Sequence, residues 1–264
     1  MTRVGLIGIG NMGSALLKGW SQDKTLGLSG YDVNKEQLQK VAQESGLEAK
    51  DSALDVVADS DYVVLGVKPQ QMQKLLTSIA PELQKNQCLI SIAAGIRRET
   101  LAAWSGHTCP VVRVMPNTPA MVGAGVFALC YDDKKLSTDQ KDLIQRLFLN
   151  LGQVQILAEE YFDAFTALVA TGPAYVYYFM DSLIEAGVAL GFPRQQSKEM
   201  IQALLDGSVK MSKESGMSAT ELREMVTSPA GTGSAGMREL DRRAVRSAVI
   251  DATLAACKRS EELG

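Results

Sequence analysis

A short apolar run, Val4 to Ile9, leads directly into Gly8-Ile9-Gly10-Asn11-Met12-Gly13, and Met12, Ala15, Leu16, Gly19 and Trp20 then fall on one helical face. A strand, a turn with glycines in the pattern GxGxxG and an amphipathic helix define a βα unit in which the chain reverses within a few residues. Glycine permits the tight turn and lets a ligand approach the main chain, while the first amides of the helix have no internal partners. That arrangement suits a pyrophosphate; the alternative is an ordinary strand-to-helix turn. Asp32 favours the first reading. It ends the second strand about 20 residues beyond the glycines, where a carboxylate accepts hydrogen bonds from an adenosine ribose and repels a 2′-phosphate. The motif therefore predicts a dinucleotide held at Gly8, Ile9, Gly10, Asn11, Met12 and Gly13. Asp32 leans the choice toward NADH, and Lys35 nearby keeps NADPH admissible.

From Val4 to about Leu157 apolar runs alternate with stretches of helical period, the pattern of an α/β doubly wound parallel sheet. Strands are expected at Leu28 to Asp32, Tyr62 to Val67, Cys88 to Ile92, Val111 to Met115, Val126 to Tyr131 and Val154 to Leu157. Asn34 with Gln37 and Ser137 with Gln140 have the spacing of helix caps. After Leu157 the β-branched runs stop and helix formers continue to the end, with breaks at Gly191 and Pro193, at Ser215 to Ser218, and at Ser228 and Pro229. The reading is two domains, 1–158 for the dinucleotide and 159–264 all helical, sharing an extensive interface. At about 150 residues per domain, a chain of 264 residues accommodates both.

Composition removes several classes of function. A net charge of −3 gives no general attraction to nucleic acid or anionic lipid, and no apolar run approaches membrane-spanning length. Cys88, Cys109, Cys130 and Cys257 lack paired spacing, and His107 is the single histidine, so no metal site is expected and a reducing, cytoplasmic setting is. His107 reads as a surface residue. Tyr175, Tyr177, Tyr178 and Phe179 read as packing and subunit contact, and Met200, Met211, Met217 and Met225 as core filler.

Ligands of open α/β sheets bind beyond the carboxyl ends of strands. Three further strand ends qualify: Gly66, Val67, Lys68 and Pro69; Ala93, Ala94 and Gly95; and Met115 to Ala120, whose two prolines either make a plain rigid turn or aim Asn117 and Thr118 at a nicotinamide. Near the end of the chain, Ser228 as cap and Pro229 as first helical residue announce a helix. Gly231 and Gly233 would admit a small carboxylate to its free amides. Three glycines in two turns are costly for a helix, which favours a binding role over a plain cap.

In order and spacing, GIGNMG at Gly8 to Gly13, GVKP at Gly66 to Pro69, SIAAG at Ser91 to Gly95, RVMPNTPA at Arg113 to Ala120, GPAYVYYFMDSL at Gly172 to Leu183 and MVTSPAGT at Met225 to Thr232 resemble the pyrroline-5-carboxylate reductase family. The likeness covers nearly the whole chain. It implies an N-terminal Rossmann domain, a C-terminal helical domain that interlocks with a second copy as a homodimer, and a ring of such dimers. It also implies NADPH or NADH as cofactor, held at Gly8 to Gly13 and Val67 to Pro69, with Ala93 to Gly95 close by. Ser228, Gly231, Thr232 and Gly233 would hold the substrate carboxylate. The family pattern usually reads SPGGTT or SPGGAT, so its last threonine is Gly233 here, and Thr232 or Ser234 is left as the catalytic hydroxyl. The implied reaction is reduction of the cyclic imine 1-pyrroline-5-carboxylate to L-proline, which needs orientation in a small dry pocket and no histidine base. A related imine reductase of altered substrate, or a dinucleotide-binding sensor without turnover, are the alternatives. A β-hydroxyacid dehydrogenase would need a lysine early in the second domain, and none occurs between Lys141 and Lys198.

Overall fold

The computed structural model describes residues 1–263. Eight strands, β1 Thr2–Ile7, β2 Leu26–Tyr31, β3 Glu48–Ala49, β4 Tyr62–Leu65, β5 Cys88–Ser91, β6 Val111–Met115, β7 Gly125–Cys130 and β8 Gly152–Ile156, form one sheet in the order β3-β2-β1-β4-β5-β6-β7-β8. Helices α1 Asn11–Trp20, α2 Lys35–Ser45, α3 Ala53–Ala58, α4 Pro69–Ile79, α5 Arg98–Trp104 and α6 Thr138–Leu149 connect them. Burial on both faces explains the near-continuous apolar strands. Val4 and Leu6, Tyr62 and Val64, Cys88 and Ile90, and Val112 and Val114 enter the core beneath α1 and α6. Ile7, Val63, Leu65, Leu89 and Val111 enter the opposite core with Met72 and Leu76 of α4. Trp20 is fully buried, and its indole donates to Leu147 O at 2.9 Å, tying α1 to α6.

The sheet departs from an all-parallel expectation at β7, which runs antiparallel to β6 with Arg113 opposite Cys130. The link between them is a short 3-10 turn, Thr118–Val122, too brief for the crossover a parallel pair needs. Through α6, β8 returns parallel to β7. Both expected caps form: Asn34 accepts from Gln37 N, and Ser137 and Gln140 make a reciprocal capping box. After β8 come a short helix α7, Phe162–Phe165, and a π turn, Thr166–Ala170, closed by Thr171 N to Thr166 O at 2.9 Å.

The chain divides into two compact units: Met1–Thr171 together with the chain from Ala256 on, and Gly172–Ala255. The second holds α8 Gly172–Ala189, α9 Arg194–Glu214, α10 Ala219–Met225, α11 Thr232–Arg242 and most of α12 Val245–Leu263. A single last helix was expected, but Ala244, at φ +52, breaks it in two. Within this unit Ile184 is the one apolar side chain that is buried. Met200, Met211 and Met225 are exposed within the chain, which corrects their reading as core filler: these helices enclose no core of their own. Tyr177, Tyr178 and Phe179 are exposed as well. His107 is a surface residue, in a left-handed turn at φ +54. Among the described residues no helix is long and apolar enough to cross a membrane.

Candidate active site

The glycine turn is built by backbone packed on backbone. Gly8 has φ +95, and a Cβ there would lie 2.6 Å from Val67 N, while one on Gly66 would lie 2.5 Å from Gly8 O. The ends of β1 and β4 therefore touch through main chain alone. The sequence marks Gly66 to Pro69 as a strand end whose small residue admits a cofactor; the structure gives Gly66 a packing need as well, since a glycine closing the apolar run Tyr62 to Leu65 lets two backbones approach closely. A Cβ on Gly10 would meet nothing, so the outer side of the turn offers the room a pyrophosphate needs. The amides of Asn11, Met12 and Gly13 precede the first helical bond, Ser14 N to Gly10 O at 2.9 Å, and no side chain caps them. Helix dipole and unpaired N–H groups together make an anion cradle.

Ile9 contributes differently. Its side chain is fully buried, and its N–H donates to Asp32 Oδ2 at 2.5 Å. Asp32 Oδ1 accepts from Asn34 N at 2.7 Å. Asp32 thus stitches the glycine turn to the end of β2, and each oxygen keeps a lone pair for a ribose hydroxyl. Lys35 lies over the Tyr31 ring at 4.7 Å and donates to Asp51 O, so its charge is partly engaged.

Of the other strand ends, Lys68 is exposed and stands at the N-cap of α4 with Pro69 at its first position. Ala93 is buried, Ala94 half-buried, and Gly95 takes φ +76 beneath Leu263. Asn117 is almost fully buried and makes two internal bonds: Oδ1 accepts from Val126 N at 2.9 Å, and Nδ2 donates to Val169 O at 3.3 Å. Its side chain braces β7 and the π turn, leaving one amide hydrogen for any ligand.

In the helical unit, Ser228 and Pro229 do not start the helix. Gly231 is the N-cap of α11, and Ser228 O accepts from Gly231 N at 3.0 Å in a turn ahead of it. The turn forms because Ala230 adopts the left-handed conformation at φ +59, which no helix continues. The amides of Thr232, Gly233 and Ser234 precede the first helical bond, Ala235 N to Gly231 O. No acid occupies that first turn and no side chain caps it. A Cβ on Gly233 would lie 2.3 Å from Val226 O, so the missing threonine is a local steric requirement of this backbone. Thr232 is exposed and Ser234 half-buried, and neither hydroxyl bonds to another group of the described residues.

A glycine cradle at the first strand-to-helix turn, an acid at the end of β2 and a parallel sheet place the chain among the Rossmann-type, nicotinamide-dinucleotide-dependent oxidoreductases. Residues 3–95 match the family described as "NADP oxidoreductase coenzyme F420-dependent", and residues 159–263 that described as "Pyrroline-5-carboxylate reductase dimerisation". The pyrroline-5-carboxylate reductases of Pisum sativum and Pseudomonas aeruginosa are each 36% identical to it, over 98% and 99% of this chain and 95% and 96% of theirs. The crystal structure of the Plasmodium falciparum pyrroline carboxylate reductase with NADP bound superposes with a TM-score of 0.91 at 32% identity, covering 100% of this chain and 98% of that one. The chain belongs to the pyrroline-5-carboxylate reductase family.

Proposed function

We propose that this protein reduces 1-pyrroline-5-carboxylate to L-proline with NAD(P)H as a cytoplasmic homodimer, with a ring of dimers as its assembly. The observation that carries the reading is kinship across the full length of both regions, at 36% identity. When bound, the reduced dinucleotide supplies a hydride to the imine carbon while a proton reaches the ring nitrogen. The free amides of Asn11, Met12 and Gly13 hold its pyrophosphate, and Asp32, whose position favours NADH, receives the ribose hydroxyls. Val67, Lys68 and Pro69 line the cofactor side, with Ala93, Ala94, Gly95 and Asn117.

The substrate carboxylate accepts hydrogen bonds from the amides of Thr232, Gly233 and Ser234, with Ser228 and Gly231 shaping the approach. Thr232 or Ser234 supplies the hydroxyl that stands near the ring nitrogen. Residues 159–264 serve for dimerisation and substrate binding, and 1–158 for the dinucleotide. Steady-state assays of the purified protein with the cyclic imine and each reduced cofactor test the reading. Oxidation of both, with a higher kcat/KM for NADH, is expected. Turnover with another imine or a keto acid and none with pyrroline-5-carboxylate would overturn the substrate.

A further inference from the structure

Arg113 is a charged residue in the middle of an apolar strand, and it is 3% exposed. Its Nη1 lies 3.2 Å from Glu159 Oε1, and its guanidinium carbon lies 4.7 Å from the centre of the Phe162 ring. The same Glu159 oxygen accepts from Arg98 N at 2.5 Å. Arg98 is the first residue of α5 and ends the loop Ile92–Arg97 that follows β5. One carboxylate thus grips two segments at once: the end of the loop carrying Ala93, Ala94 and Gly95, and the strand that leads into Asn117.

We infer that Glu159 is a positioning residue for the dinucleotide, setting the loops after β5 and β6 through Arg98 N and the Arg113 guanidinium. The inference rests on the oxidoreductase reading above. Neighbouring contacts hold Glu159 itself in place. Its own N–H donates to Asp132 Oδ2 at 3.2 Å, and α7, which follows it, is pinned where Ser260 Oγ donates to Asp163 Oδ1 at 2.6 Å. At the other end of the loop, Ala93 N donates to Ser91 Oγ at 3.3 Å. Between these two ties no other side chain hydrogen-bonds the loop among the described residues; at its far end the Arg98 guanidinium also lies 3.6 Å from Asp133, while Glu159 takes the Arg98 N–H that fixes the main chain.

Direct titration of NADH and NADPH by nicotinamide fluorescence, beside steady-state kinetics and thermal melting, tests this. In Glu159→Ala the dinucleotide Kd rises about tenfold, while KM for the cyclic imine at saturating dinucleotide moves by less than about twofold. Glu159→Gln, which keeps an acceptor oxygen, returns Kd to within about twofold of the parent. Loss of the carboxylate leaves a buried cation unpaired, a defect that can prevent folding. Should Glu159→Ala fail to fold, the double variant Glu159→Leu with Arg113→Met removes the stranded charge and still deprives Arg98 N of its acceptor, so the same rise in Kd is expected. A folded variant that melts earlier yet binds dinucleotide as tightly as the parent reduces Glu159 to a structural strut and overturns the inference. A parent protein that binds neither dinucleotide overturns the oxidoreductase reading instead.

Discussion

Ala230 and Gly233 stand where the family's pattern usually has glycine and threonine, and the backbone accommodates both. Ala230 sits at φ +59, a conformation that disfavours an alanine by about 1–2 kcal/mol. Ala230→Gly removes that strain and loses about 0.4–1 kcal/mol through a freer unfolded chain. A small rise in midpoint denaturant concentration is therefore expected, and a fall would contradict the strain. Gly233→Thr is the opposite case. Its Cβ would enter the van der Waals shell of Val226 O, at 2.3 Å, so restoring the usual residue costs about 1–3 kcal/mol and lowers kcat/KM. Improved turnover in that variant would show that the turn opens to receive a side chain. Buried thiols give a third expectation at this scale. Burial pushes Cys130 up to about 12 and Cys109 to about 11. Both stay neutral in the fold while the unfolded chain ionises them above about pH 9. The contribution of these two thiols is then flat below about pH 9, and stability is lost as pH rises toward 11 and 12, since only the unfolded state gains from losing the protons. Denaturation curves across that window should show a shallower loss for Cys130→Ala than for the parent.

Asn117 shows what a short element does for its neighbours. A π turn takes carbonyls out of the α-helical ladder, and the Asn117 Nδ2 donates to one of them, Val169 O, while its Oδ1 accepts from the N–H of Val126, the second residue of β7. Asn117→Ala leaves both groups unpaired in a half-buried setting, at up to about 1 kcal/mol each. Hydrogen exchange should then quicken at Val126 and at the turn Thr166–Ala170; unchanged protection there would refute the brace. The proline-flanked motif marked this residue in the sequence, but the identity of its partners was invisible, because Val126 and Val169 meet it only through the fold. The same limit applies elsewhere. β4, β5 and β6 were legible as apolar runs because burial on both faces favours apolar side chains, with Ser91 and Arg113 as the polar residues among them. β3, at Glu48–Ala49, is too short to have a period, and the reversal of β7 depends on connection length. Arg113 was readable as a charge inside an apolar strand; that Glu159 answers it was not. The helix start at Ser228 was misplaced because its cap residues are sound local signals, overridden by the left-handed turn at Ala230.

For the whole molecule, the two units differ in how they hold together. The Rossmann unit has apolar clusters on both sides of its sheet, with Trp20, Phe127 and Phe148 fully buried. The helical unit has only Ile184, while Tyr178 is 73% exposed, Leu254 62% and Leu240 45%. A cavity of about 660 Å³ in that unit, lined by Tyr178, Phe179, Leu183, Leu240 and Val249, is walled almost wholly by carbon. Helices in such a state cannot offset their conformational entropy alone, and apolar surface of this extent belongs against another chain. Folding of the helical unit is then coupled to association, and the melting temperature of the parent should rise with protein concentration. Leu240→Asp places a carboxylate in the middle of that apolar wall. It should shift the sedimenting species from dimer to monomer, abolish the concentration dependence and reduce turnover together with dimer, since Thr232 and its free amides lie in the same unit. A parent protein that sediments as a monomer, with a melting temperature indifferent to concentration, would mean that these helices find their core within one chain.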